Sequence, residues 1–392
     1  MKKAQEYVCT KVQHSTIPNE GDCLTRKDEI LIDQIILSNV RIIEIMDTED
    51  LFSQGIIKMD GSDLLYHTVT GQSFTVLHIA DDVVTDFIAK AVKKHGAVHQ
   101  FSTMIISVKT DDTYGNLQCY RYGECWEHLL EIQAHLAKTY GIIITYDIAK
   151  IKSIELNKTF PLKYKFTDYR RPLSYLMRYL STTLNNQMDC HNRLKDYSAY
   201  YATTKRKPKS KNYLDLKFYD KTKALNLDID ASYMRIELTF VGSTKIKREF
   251  GTNLFLDFSD ALISRVYQSA VDRYIQKPLD EAQKKRYSRL SRILKNEHKK
   301  GDNGWITKVL RCIMNTEIEE NTPFLLDIHE LFPFLESLTD SKGTFLSSSR
   351  KYKIRESFIL HAEAYEKAFC KKDHEKLMEL LERIVPNTIQ LK

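Results

Sequence analysis

The chain has 392 residues, 42% hydrophobic and 28% charged, enough apolar material for a sizeable core in two or three domains and too much for a disordered chain. Only 13 Gly and 8 Pro occur, which excludes collagen-like or linker-rich architecture. Net charge is +7, which permits a nucleic-acid partner without demanding one. No run approaches the ~18 apolar residues of a membrane span, and the first residues lack the apolar segment of a secretory signal. Seven scattered cysteines with no Cys-x-x-Cys pair read as reduced thiols rather than disulfides or a zinc site. A cytoplasmic protein without a membrane partner is expected.

Residues 1–28 are polar and irregular and read as a loose arm. Residues 30–38 form an apolar, β-branched run expected to be a buried strand. Residues 84–95 place Val84, Phe87, Ile88 and Val92 on one helical stripe, which predicts a short helix. Residues 101–110 and 116–122 flank Asp111-Asp112-Thr113-Tyr114-Gly115 and predict a β-hairpin. Residues 126–139 carry Leu129, Leu130, Ile132 and Leu136 at helical spacing. Residues 141–160 predict one or two strands, the second with Ile154 and Leu156 on one face and Ser153, Glu155, Asn157 and Thr159 on the other. A helix through Leu173, Leu176, Met177 and Leu180 follows Pro172.

Two further strands alternate cleanly. In 213–221, Leu214, Leu216 and Phe218 oppose Asp215, Lys217, Tyr219 and Lys221; in 232–241, Met234, Ile236, Leu238 and Phe240 oppose Arg235, Glu237 and Thr239. Beyond about 255 the pattern is helical: 256–276, 279–298, 304–316, 326–338, and 353–385 with a break near 372. The expected fold is α+β: a mixed, mainly antiparallel sheet with helices packed on one face, followed by an all-helical C-terminal domain. The division is an arm at 1–28, an α+β domain at 29–250 and a helical DNA-binding domain at 251–392.

If the central strands share a sheet, one polar face carries Glu155, Asn157, Tyr219, Lys221, Arg235 and Glu237. Carboxylates there could hold a hard cation such as Mg²⁺ or Mn²⁺, a tyrosine beside it could be a nucleophile, and Lys and Arg could hold a phosphate. An ordinary solvated sheet face accounts for the same pattern. Basic clusters suggest nucleic-acid contacts: Lys205, Arg206, Lys207, Lys209 and Lys211 in a loop with Tyr197, Tyr200 and Tyr201 upstream, then Lys284, Lys285, Arg286, Arg289, Arg292 and Lys295 along a helix. A third patch spans residues 350–355. Walker, Gly-x-Ser-x-Gly and His-Glu-x-x-His motifs are absent. His95 and His99, four apart on an expected helix end, read as surface or packing residues.

Several segments together carry a resemblance. Leu31-Ile32-Asp33-Gln34-Ile35-Ile36-Leu37 is similar to the opening strand of filamentous-phage gene II replication proteins. Leu216-Lys217-Phe218-Tyr219-Asp220-Lys221-Thr222-Lys223 resembles the tyrosine motif of rolling-circle plasmid initiators. Met234-Arg235-Ile236-Glu237-Leu238-Thr239-Phe240 resembles the strand that follows it in both groups, and residues 151–157 occupy the place of their acidic metal-site strand. The order agrees over about residues 30–250.

The resemblance implies a replication initiator of a plasmid, phage or mobile element that nicks one origin strand. Tyr219 would attack the scissile phosphate and keep a 5′-phosphotyrosyl link, leaving a free 3′-OH primer. Glu155 and Glu237, with Asp147 as an alternative to Glu155, would hold a divalent metal, Mg²⁺ or Mn²⁺. Lys221 and Arg235 would neutralise charge on the phosphate oxygens. Implied partners are double-stranded origin DNA and the nicked single strand; a host helicase and a homodimer remain open. The alternatives are a non-catalytic origin- or operator-binding protein on the same fold and a relaxase of a conjugative element.

Overall fold

The computed structural model describes residues 29–281 and 344–384, apart from 60, 62, 108–118, 171, 174–175, 178–187, 194–198, 205–211, 226–230 and 369–370. Between 282 and 343 it describes Ser288, Arg292, Lys295 and Asn296. The expected arm, the basic loop at 205–211 and the helices at 304–316 and 326–338 therefore lie outside the described residues.

The chain opens with β1 (Ile30–Ser38) and β2 (Arg41–Ile45), then α1 (Thr48–Ser53) and the short strands β3 (Ile57–Lys58), β4 (Tyr66–His67), β5 (Ser73–Phe74) and β6 (Val76–Ile79). Two long strands follow, β7 (Asp86–Lys94) and β8 (Ala97–Ser107), then α2 (Tyr122–Tyr140), β9 (Ile142–Thr145) and β10 (Lys150–Leu162). Next come β11 (Met188–Arg193), β12 (Ala199–Thr204), β13 (Tyr213–Asp220), α3 (Lys221–Ala224) and β14 (Ser232–Val241). The remaining helices are α4 (Ser243–Phe250), α5 (Asp260–Val271), α6 (Ser348–Ala368) and α7 (Lys371–Ile384). A wider helical turn, Asp272–Gln276, continues α5.

Ten strands form one sheet in the order β11-β12-β13-β14-β10-β1-β8-β7-β6-β3, and every described pairing in it is antiparallel. One face of the long strands is apolar because alternate side chains point to it. Ile35, Ile154, Leu156, Leu238 and Phe240 are all fully buried there. Leu129, Ile132 and Leu136 of α2, Ile263 and Val271 of α5, and Leu377 and Leu380 of α7 close over the same core. The α+β architecture thus follows from the alternation: the apolar face needs helices, and amphipathic segments supply them. Residues on both sides of position 250 belong to this one core.

The α2 helix ends at Gly141, whose φ of 63° is left-handed. A Cβ there would stand 3.2 Å from Cβ of Met46, so glycine serves both the conformation and the close approach.

Two expectations are corrected. Residues 86–94 form a strand, not a helix. Their buried set is Phe87, Ala89 and Ala91 at period two, while Ile88 and Val92 face the other way; small alanines on the buried face hid the alternation. His95 and Gly96, both at positive φ, make the two-residue turn into β8 that right-twisted hairpins favour. His95 and His99 are exposed, in that turn and in β8 rather than on a helix end. The expected hairpin around residues 111–115 is also replaced. Residues 103–105 of β8 are paired with β7 on one edge and β1 on the other, and Tyr120 bridges Ile32 of β1 instead. Residues 108–118 themselves lie outside the described set. No described helix is long and apolar enough to cross a membrane.

Candidate functional site

The polar face of the central strands is assembled by register. Asn157 of β10 stands opposite Glu237 of β14, Glu237 opposite Lys217 of β13, and Arg235 opposite Tyr219. Glu155 faces Thr239 on one side and Gln34 of β1 on the other. Asp33 follows Leu31, opposite Asn157, and Ile32, opposite Leu156, so period two puts it on this face, and the bulge between Ile32 and Gln34 lets Gln34, opposite Glu155, share that face. Side chains directly across an antiparallel pair lie ~5 Å apart, so residues 200 apart in sequence become neighbours.

The face is buried rather than solvated: Arg235 is 0%, Glu237 3% and Tyr219 6% exposed. The Tyr219 hydroxyl donates to Glu237 Oε2 at 3.1 Å. Lys217 Nζ donates to the other Glu237 oxygen and, at 3.0 Å, to Glu155 Oε1. Thr239 donates its hydroxyl to Glu155 at 3.2 Å. Arg235 donates Nε to Thr159 at 2.9 Å and NH1 to Asp33 at 3.3 Å. Lys221, 3% exposed, opens α3 and lies 5.8 Å from the centre of the Tyr219 ring.

These contacts set the proton affinities. Burial, and then the charge of Glu237, pushes the Tyr219 phenol well above its ordinary value. Burial and the neighbouring Glu155 push Glu237 up. Glu155 is held down despite burial, by hydrogen bonding with Glu237 and by the Lys217 charge. Lys217 is raised by both carboxylates against the cost of its burial. Lys221 is lowered to about 8 by burial and the positive Arg235. Two carboxylates sharing one ammonium therefore divide the negative charge unequally.

One carboxylate oxygen from each of Asp33, Glu155 and Glu237 lies within 4.8 Å of the others. The buried Asn157 shares this face. Its amide nitrogen donates to Cys119 Sγ at 3.1 Å, and its Oδ1 has no hydrogen-bond partner among the described residues. The three carboxylates, within 4.8 Å of one another, form an all-oxygen donor set, which fits a hard divalent cation rather than a soft one. The Cys119 thiol is pushed up to about 11 by burial, so it stays protonated and adds no thiolate.

Of the residues expected from sequence, Glu155, Asn157, Tyr219, Lys221, Arg235 and Glu237 are brought together. Asp147 is not: it lies exposed after β9 and pairs with Arg41 at 3.2 Å. Lys205, Arg206, Lys207, Lys209, Lys211, Lys285, Arg286 and Arg289 lie outside the described residues, and Arg292 is exposed on a helical segment. Sequence reasoning did not place Asp33 or Lys217 in the site. Asp33 had a signal: it is the lone acid inside a nine-residue apolar strand, where an unpaired carboxylate is costly.

No family profile matches the chain, and no curated protein matches it. Among solved structures the chain is similar to a rolling circle replication initiator protein from Geobacillus stearothermophilus. The match is 10% identical, covers 63% of this chain and 85% of that one, and has a TM-score of 0.26. A likeness at that score carries no argument about fold or chemistry.

Proposed function

We propose that the protein is a metal-dependent DNA-nicking replication initiator that uses Tyr219 as its nucleophile. One observation carries the reading: a tyrosine hydroxyl donating to a carboxylate of a three-carboxylate cluster, with two buried cations on the same sheet face. A solvated sheet face has no need of such an arrangement.

The Tyr219 oxygen attacks the phosphorus of a DNA phosphodiester, the bond from phosphorus to the 3′ oxygen breaks, and the leaving 3′ oxygen takes up a proton equivalent to the one Tyr219 gives to Glu237, ending as a hydroxyl. The phosphorus is retained as a 5′-phosphotyrosine, so the bond energy is kept for rejoining. The resting phenol is a poor nucleophile because its pKa is raised. Glu237 already accepts its hydrogen bond and, being a stronger base than an ordinary carboxylate, is suited to take its proton. Arg235 and Lys221 stand where they can neutralise charge growing on the non-bridging oxygens. Lys221 is lowered to about 8 in the free site, so the arriving phosphodiester monoanion draws it toward full protonation. Asp33, Glu155 and Glu237 would hold a divalent cation, which would polarise the phosphate and stabilise the leaving oxygen.

The deep burial of Tyr219, and the Lys217 ammonium already seated between Glu155 and Glu237, favour a second reading, a non-catalytic DNA-binding protein on the same fold. The experiment separates the two. Purified protein is incubated with supercoiled origin-bearing DNA and Mn²⁺ or Mg²⁺, beside Tyr219→Phe. Open-circle product and a covalent protein–DNA adduct from the wild type alone support the nicking initiator. Origin binding without nicking by either protein supports the binder.

A further inference from the structure

We propose that the β7–β8 hairpin is a landing track for single-stranded nucleic acid that extends the sheet face of the candidate site. The inference rests on the reading of this chain as a protein that handles a DNA strand, and it names where that strand runs.

Three observations support it. The hairpin projects past its neighbours: residues 97–101 are all exposed and pair only with β7, because β1 reaches β8 no further than Thr103. Its charge is one-sided: Lys90, Lys93 and Lys94 are exposed, and no Asp or Glu occurs between Asp86 and Asp111. One of its two faces interleaves cations with rings. Lys90 stands across from Phe101, Val92 from His99 and Lys94 from Ala97, so Lys90, Lys94, His99 and Phe101 share a face. The His99 and Phe101 ring centres are 6.2 Å apart, and Phe101 is 42% exposed. Alternating lysines and exposed aromatic rings suit a strand whose phosphates meet the cations while its bases stack.

Register shows which side this is. Phe101 shares its face of β8 with Ser107, Ser107 stands opposite Gln34 of β1, and Gln34 stands opposite Glu155 of β10. The Lys–aromatic face and the carboxylate cluster are therefore on one side of a continuous sheet. Six residues along β8 and two strand spacings put Phe101 about 22 Å from Glu155. Lys93 and Val98 face the opposite side, which supplies an internal control.

The test is fluorescence anisotropy with a labelled oligothymidylate and, separately, a blunt duplex, in the Tyr219→Phe background so that no cleavage intervenes. Lys90→Glu/Lys94→Glu is expected to weaken oligothymidylate binding at least tenfold and to shrink the log–log salt slope by about 1.4, the share of two phosphate contacts. Phe101→Ala is expected to weaken it about tenfold with the slope unchanged, as lost stacking does. Lys93→Glu is expected to have a much smaller effect. Unchanged affinity in the Lys90/Lys94 and Phe101 variants overturns the track. So does an equal loss from Lys93→Glu, which would mean face-independent attraction, or a loss confined to duplex. Nicking takes no part in the readout. A protein that never nicks but loses single-strand binding in these variants upholds the track, and one that nicks yet binds unchanged refutes the track alone.

Discussion

Replacing Lys217 by methionine probes the site directly, because this ammonium occupies the space between two carboxylates. Lys217 bonds both Glu155 and Glu237, whose side chains are 17% and 3% exposed. Methionine keeps the volume of the side chain and removes the charge. Removing one partner of a buried ion pair costs about 3–5 kcal/mol, chiefly from the charge left without compensation. The lower end, about 3 kcal/mol, applies here because Lys217 is itself 28% exposed and water screens part of the loss. Protonation of Glu237, already pushed up by burial, absorbs some of the remainder. A divalent cation can take the vacated place, and binding at 100 times its dissociation constant returns about 2.7 kcal/mol. The assay is urea unfolding followed by far-ultraviolet circular dichroism, for wild type and Lys217→Met, in EDTA and in saturating Mn²⁺. The expected result is a large deficit in EDTA that mostly closes in Mn²⁺, while the wild type responds less because Lys217 competes for the same oxygens. A deficit below about 1 kcal/mol, or one that Mn²⁺ leaves untouched, refutes the reasoning.

Other predictions concern the remaining charges. Lys221 has its folded pKa lowered to about 8 by burial and Arg235, against an ordinary 10.5. Between those values the unfolded chain holds a proton that the folded chain does not, so this group makes stability rise with pH through the window, by at most about 1.4 kcal/mol per unit. That contribution is lost as pH falls through 8. Urea midpoints from pH 7.5 to 10 should show the slope in wild type and lose it in Lys221→Met; parallel profiles would contradict the assignment. Asp33→Asn should weaken Mn²⁺ binding, read by electron paramagnetic resonance, about tenfold. Asp147→Asn should leave it unchanged, since Asp147 pairs with Arg41 on an exposed turn. Equal effects from the two would remove Asp33 from the ligand set.

Much of this was legible in the residue order because strands carry their faces with period two. Leu214, Leu216 and Phe218 against Lys217 and Tyr219, and Ile236 and Leu238 against Arg235 and Glu237, assign sides without coordinates. The long amphipathic α2 helix was equally plain from its leucine spacing. Where the pattern misled, the buried residues were small: Ala89 and Ala91 left Val84, Phe87, Ile88 and Val92 to imitate a helical stripe.

Alternation alone determined which side chains share a face of each strand: Lys217 with Tyr219 on β13, and Arg235 with Glu237 on β14. It could not say which strands adjoin. Only the pairing of β10 with both β1 and β14 brings Asp33 within reach of Glu155 and Glu237. Burial was likewise a tertiary outcome. A strand face reads the same whether water or protein covers it, yet coverage is what raises the Tyr219 phenol and makes Lys217, unremarkable in the sequence, the counter-charge of two carboxylates. Local periodicity is set by backbone geometry, whereas proximity and dielectric depend on contacts between distant segments, and those exist only once the sheet has closed.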